Sequence, residues 1–196
     1  DSYRRVMQAV SICMIKDITF TFNTVLTSHN CGELKEAVEV AEKLGSRGIR
    51  FGHLVLPAKK KKKNLELSPG ERKEIETRIW QLKRDASFPI LMAPGYYIND
   101  LFPCAPLRLE EINIDWRGNV TLCCNLSGHS DGAGTGDITG NLAEMNFPEA
   151  YERLVNLKKR FHKNKLGRYN SGNFKDSDFF PCWYCLNYFK KVDWLE

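Results

Sequence analysis

Three β-rich stretches, residues 18–26, 49–56 and 89–93, alternate with helical patterns in the first half of the chain, and this alternation constrains the fold most. ITFTFNTVL (18–26) is rich in β-branched and aromatic residues, which suit a buried pleated surface. Leu34, Ala37, Val38, Ala41 and Leu44 then recur at helical spacing, with Gly45 or Gly48 available to end that helix. Ser68-Pro69 announces the next helix, with serine at the N-cap, proline at the first helical position and Glu71 in the capping-box place. Ile75, Ile79 and Leu82 form its apolar stripe, and residues 3–14 read as a further helix ahead of the first strand. Strands and helices alternating at this length need right-handed crossovers, so residues 1–95 are expected to form an α/β unit with a parallel sheet.

A chain of 196 residues can bury a core as one large domain or two small ones. Hydrophobic residues at 42% and charged residues at 27%, with no apolar run long enough to cross a bilayer, predict a soluble protein with no membrane partner. No leader with a basic start, an apolar stretch and a small-residue cleavage site is present, so a cytoplasmic, reducing setting is expected. There, seven cysteines are hard to explain as a disulfide framework, and the odd count prevents complete internal pairing. Clustered cysteines point to metal instead. The net charge of +5 owes much to the lysine run 59–63, read as a solvated loop; a nucleic-acid patch is the lesser reading, with no RNA-binding or helix-turn-helix signature beside it.

From Tyr96 the pattern changes. Residues 109–115 and 120–124 read as two short strands around Trp116-Arg-Gly-Asn119, a β-hairpin. The glycine-rich stretch 127–141 lacks the GxxxxGK(S/T) order of a phosphate cradle and reads as a flexible connection. A helix over 148–163, a polar loop and the aromatic segment FFPCWYCLNYFKK (179–191) follow. Cys104, Cys123, Cys182 and Cys185 are the candidate metal ligands, since a hairpin and a CxxC turn deliver thiolates from separate segments to one point. Thioredoxin-like exchange is the weaker reading of Cys182-x-x-Cys185, because the pair lies past the last expected helix rather than after an early strand. A structural zinc site in a protein-interaction module is the alternative. Cys124 is a substitute ligand or an apolar neighbour, Cys13 and Cys31 are packing residues, and His129 is a surface residue.

Cys104, thirteen residues, Gly118, four residues, Cys123, then a long gap to Cys182-x-x-Cys185 resembles the C-terminal extension of radical S-adenosylmethionine (SAM) enzymes, the SPASM or shorter twitch domain. INIDWRGNVTLCCN is similar to the hairpin of that extension, and DITGNLAE to its continuation. ITFTFNTVLTSHN, a helix ending in LG, and IRF resemble the fourth strand, helix and fifth strand of the family's partial (β/α)6 barrel. The resemblance implies later βα units of that barrel over 1–95 and a small α+β SPASM/twitch domain over 96–196. It implies an auxiliary 4Fe-4S cluster on Cys104, Cys123, Cys182 and Cys185, ringed by Phe179, Phe180, Trp183 and Tyr184, which read equally as a small core. One cluster is implied, as in the twitch form, because no cysteine follows Cys185. The family's CxxxCxxC motif is absent, so SAM and a second 4Fe-4S cluster belong to an intact parent whose N-terminal radical SAM half is the expected partner. This chain alone is expected to be inactive, and its parent an oxidoreductase acting on a peptide or protein. Asn23, Thr24, His53 and Met92 fall at strand ends, where polar residues of parallel barrels often face a cavity.

Overall fold

A computed structural model describes residues 2–55, 65–129 and 135–192. The lysine run 59–63 and much of the glycine-rich stretch, residues 130–134, lie outside the described residues. The chain is a mixed α/β protein that divides into two compact units, one of residues 2–55 and 65–93, the other of 94–129 and 135–192. Among the described residues no helix is long and apolar enough to cross a membrane.

The first unit runs α1 (Ser2–Ile15), β1 (Phe22–Leu26), α2 (Leu34–Lys43), β2 (Ile49–His53), α3 (Pro69–Asp85) and β3 (Ile90–Met92). Its strands form one parallel sheet in the order β1-β2-β3, with Phe22 level with Ile49 and Ile49 level with Ile90. Leu26, Ile49, Phe51 and Ile90 are buried from the strands, and Leu34, Val38, Ala41, Ile75 and Ile79 from the helices. The capping box forms as expected: Glu71 N–H donates to Ser68 Oγ at 3.3 Å, and Ser68 N–H to Glu71 Oε2 at 2.8 Å. Gly45, at φ +71°, turns the chain out of α2. At Gly48 a Cβ would stand 2.8 Å from the Pro89 carbonyl oxygen, so only glycine lets the entry to β2 lie against the entry to β3.

Two strands are shorter than the sequence suggests. Residues 18–21 stay outside the ladder because the chain opposite them is the turn before β2; Arg47 N–H meets the Phe20 carbonyl there at 2.8 Å, and regular pairing starts at Phe22. β2 stops at His53, and the Leu54 carbonyl accepts from Arg72 Nη2 at 2.9 Å instead of from a strand.

The second unit runs α4 (Ala105–Arg108), β4 (Asn113–Ile114), β5 (Asn119–Thr121), α5 (Cys124–Ser127), β6 (Ile138–Asn141), α6 (Phe147–Asn170), a 3₁₀ turn (Asp176–Phe179) and α7 (Pro181–Tyr188). β4, β5 and β6 form an antiparallel sheet in that order. The hairpin forms around Asp115, whose Oδ1 accepts from the Arg117 and Asn119 amides at 2.9 Å each, with Gly118 at φ +82°. β6 was not expected; it lies in the stretch read as a flexible connection, and pairs Asn141 with Asn119 and Gly140 with Val120.

Four further differences have local causes. The strand expected over 109–115 shrinks to two residues because Leu109 sits at φ +60° as the C-cap of α4. The strand expected over 120–124 ends at Thr121, since Cys123 caps α5 and Cys124 is its first residue. α6 runs on to Asn170 rather than stopping near 163, burying Ala150, Leu154, Leu157, Phe161 and Lys165 on one stripe. Cys182-x-x-Cys185 lies within a helix, α7, with Pro181 in its first turn, and not past the last helix.

Candidate metal centre

Three segments of the second unit carry the four predicted ligands. Cys104 is the N-cap of α4, with its carbonyl accepting from Arg108 N–H at 3.1 Å. Cys123 is the N-cap of α5, in extended conformation at φ −158° and ψ 159°. Cys182 and Cys185 stand three residues apart on α7, which places both on one helix face. α5 packs against α7, which brings the Cys123 segment to the CxxC helix. Cys182 Sγ donates to the Pro94 carbonyl at 3.7 Å. All seven cysteines of the chain are thiols rather than disulfides.

The electrostatics tie these sulfurs together. Burial pushes the Cys185 thiol well above the ordinary cysteine value, and negative charge at Cys182, Cys123 and Cys104 pushes it further, against Lys165. As a residue Cys185 keeps partial exposure. Burial also raises Cys123; the amides of Leu126 and Asn125 oppose the rise, and Cys124 and Cys104 add to it. Cys104 is raised by burial, with Lys165 and Arg108 opposing and Asp100 adding. Each thiolate therefore disfavours the next, and the set can ionise together only with compensating positive charge.

Among the described residues no three His, Cys, Asp or Glu side chains are placed to hold a metal ion. Four thiolates on one zinc would stand about 3.8 Å apart, the edge of a tetrahedron with Zn–S bonds of about 2.3 Å.

The sequence reading passed over a buried lysine on α6. Lys165, only 2% exposed, occupies the α6 stripe position that follows Phe161, where a leucine would be ordinary. Its Nζ donates to the Leu101 carbonyl at 2.8 Å and lies 4.6 Å from the Tyr184 ring centre, with the Phe174 ring at 5.8 Å and Phe102 at 5.9 Å. Burial pulls its ammonium below the ordinary lysine value, while Cys185, Cys104, Asp178 and Asp100 hold it up. The signal was present in the helical spacing of Ala150, Leu154, Leu157 and Phe161, from which a step of four residues reaches position 165.

The aromatic residues around the CxxC helix form a core. Phe180, Trp183 and Tyr184 are buried and Phe179 half-buried. The Phe180 and Trp183 rings lie 5.0 Å apart at a tilt of 50°, and Tyr184 meets Phe161 edge-on at 5.6 Å. Asp137 and Lys191 form an ion pair at 2.7 Å, both buried.

Other candidates separate from this group. Cys124 is exposed, and Cys13 and Cys31 are half-buried in the first unit. His129 is half-buried rather than a surface residue, because it follows α5 directly; burial and then the Lys191 charge hold it below the ordinary histidine value. At the strand ends Thr24, Phe51 and Met92 lie in one row of the parallel sheet and His53 falls two residues beyond Phe51, so they share a face, whereas Asn23 falls on the other. His53 is held down to about 3 by burial and then by the Arg72 charge, and is neutral at pH 7. Comparison with protein-family models and with curated proteins gives no match.

Proposed function

We propose that Cys104, Cys123, Cys182 and Cys185 hold an auxiliary 4Fe-4S cluster, and that the chain is the C-terminal part of a cytoplasmic radical SAM oxidoreductase acting on a peptide or protein. The observation that supports this reading is the packing of α5, capped by Cys123, against α7, one face of which carries Cys182 and Cys185. The donor set fits the group in its chemistry, since iron-sulfur clusters take thiolates. In this reading the first unit contributes later βα units of a partial (β/α)6 barrel and the second is a SPASM/twitch domain. When bound, the cluster would supply one-electron transfer or an anchoring iron.

The chain's own residues have defined tasks in this reading. α7 sets Cys182 and Cys185 on one face, α4 and α5 present Cys104 and Cys123 at their first turns, and the Phe180–Trp183–Tyr184 core keeps water from the CxxC face. Generation of a radical from SAM is assigned to an N-terminal half bearing CxxxCxxC and its own 4Fe-4S cluster.

Anaerobic reconstitution with iron and sulfide tests the reading. About four irons and four sulfides per chain are expected, the content of one cubane. Serine at Cys104, Cys123, Cys182 or Cys185 should sharply reduce that content, and Cys124→Ser should leave it unchanged. One tightly held zinc with no sulfide uptake would overturn the cluster in favour of a structural zinc module.

A further inference from the structure

We propose that Cys182 and Cys185 form a reversible thiol–disulfide couple in the metal-free chain, a redox modification site in α7 whose oxidant is a small disulfide. The inference stands on the helix itself and goes beyond the cluster reading, which concerns the reduced thiols.

Exchange was ranked low in the sequence because the pair was expected past the last helix; its place within α7, one residue after Pro181, removes that objection. The geometry then comes from the backbone. Tyr184 N–H donates to the Phe180 carbonyl and Phe189 N–H to the Cys185 carbonyl, at 3.0 Å each, so the segment is helical on both sides of the pair. Three steps along a helix separate two Cα atoms by about 5 Å, inside the roughly 4.4–6.8 Å that disulfides span. The Cβ atoms start about 5–6 Å apart, so closure asks the first turn to tighten toward 3₁₀ form, which brings residues i and i+3 into line. Helix ends adopt that form readily. Trp183 and Tyr184, between the cysteines, are 4% and 2% exposed and anchor the helix, whereas both cysteines keep partial exposure. Cys182 Sγ meets only a weak acceptor contact at the Pro94 carbonyl, at 3.7 Å, that exchange can displace.

In the first step the Cys182 sulfur attacks a disulfide RSSR; the Cys182–SR bond forms, the old S–S bond breaks, and the thiol proton leaves with the departing sulfur as RSH. In the second, Cys185 attacks the Cys182 sulfur and a second RSH departs. Two thiols are oxidised by two electrons and one RSSR is reduced to two RSH. The ring closed by the bond spans four residues, so it restricts the unfolded chain little, and the tightened turn makes the bond easier to reduce. Such a bond is a switch rather than a brace. While it is closed, two of the four candidate ligands are withheld from metal.

The test treats the full, reduced, metal-free chain with oxidised glutathione, quenches it in acid, blocks the remaining thiols with N-ethylmaleimide, and reads tryptic segment 176–190, which holds both cysteines, by mass spectrometry. The segment should lose both labels, weigh two hydrogens less, and regain both labels after dithiothreitol. Cys185→Ser should trap one glutathione on Cys182, since the second step is then blocked. Two labels on the wild-type segment after glutathione treatment would overturn the proposal. So would bonds from Cys182 or Cys185 to Cys104, Cys123 or Cys124 in place of the internal one. Absence of iron and sulfide uptake by the reduced chain would overturn the cluster reading alone, because the disulfide measurement uses no metal.

Discussion

Replacing Lys191 by methionine isolates the energetics of the buried ion pair just past the cysteine helix. Lys191 is 2% exposed and Asp137 fully buried, with Nζ 2.7 Å from Oδ1. The Asp137 carboxylate oxygens make no hydrogen bond among the described residues, so Lys191 is what compensates that charge. Methionine keeps the apolar stem and removes the ammonium, leaving a carboxylate stranded in the core. Truncating one partner of a buried pair costs about 3–5 kcal/mol, against about 0–1 kcal/mol for a pair on the surface. With a urea slope of about 2 kcal/mol/M, the unfolding midpoint should drop by about 1.5–2.5 M. The assay is urea unfolding of the reduced protein followed by far-ultraviolet circular dichroism, with Asp137→Asn/Lys191→Met as the control. The double variant should recover much of the loss, because no uncompensated charge remains. A loss below about 1 kcal/mol for the single variant would refute the claim that this pair is buried and interdependent.

Other outcomes follow from the same geometry. In the metal-free protein at neutral pH, iodoacetamide should label exposed Cys124 well before Cys185, because burial and neighbouring thiols hold the Cys185 thiol in its unreactive protonated form; mass spectrometry of a time course reads the order. Phe161→Ala should destabilise the second unit by about 3–5 kcal/mol in the same urea assay, since the ring is fully buried against Tyr184, Tyr188 and Phe189. Ser68→Ala should cost the first unit about 1 kcal/mol through the lost capping box. Hydrogen bonding to Ser68 holds the Glu71 carboxyl below its ordinary value, so its contribution is present above the usual glutamate range and fades as pH falls through the lowered folded value. The cost of Ser68→Ala should therefore shrink in acid, as thermal melts at pH 7 and pH 3 would show.

Much of the first unit could be read from the sequence because its signals are local. The Ser68–Glu71 box is complete within four residues, and the strands needed only apolar runs flanked by helices. The second unit resisted where structure depends on distant partners. ITGN carries no strand pattern of its own and becomes β6 only by pairing with β5. The CxxC segment is apolar on every side, so helical periodicity was invisible in it; Pro181 at a helix start was the remaining cue. Residues 164–170 look like a polar loop because a lysine stands in the core phase, and it is the Leu101 carbonyl and the rings of Tyr184, Phe174 and Phe102 that receive its ammonium there. The candidate ligands themselves were legible as a spacing, whereas the buried place of Lys165 was legible only once α6 was in place.

The three segments that carry the thiols also have a polymer cost. Cys104 and Cys123 are separated by about 20 residues and Cys123 and Cys182 by about 60, and ideal closure of loops of those sizes costs about 2.7 and about 3.6 kcal/mol. Tripling the loop adds only about 1 kcal/mol, because the penalty grows with the logarithm of length. The connection between the hairpin and α7 is therefore free to lengthen or shorten by many residues at little thermodynamic consequence. What it must preserve is a stiff element of the right span, and the 24 residues of α6, about 36 Å of helix, supply it.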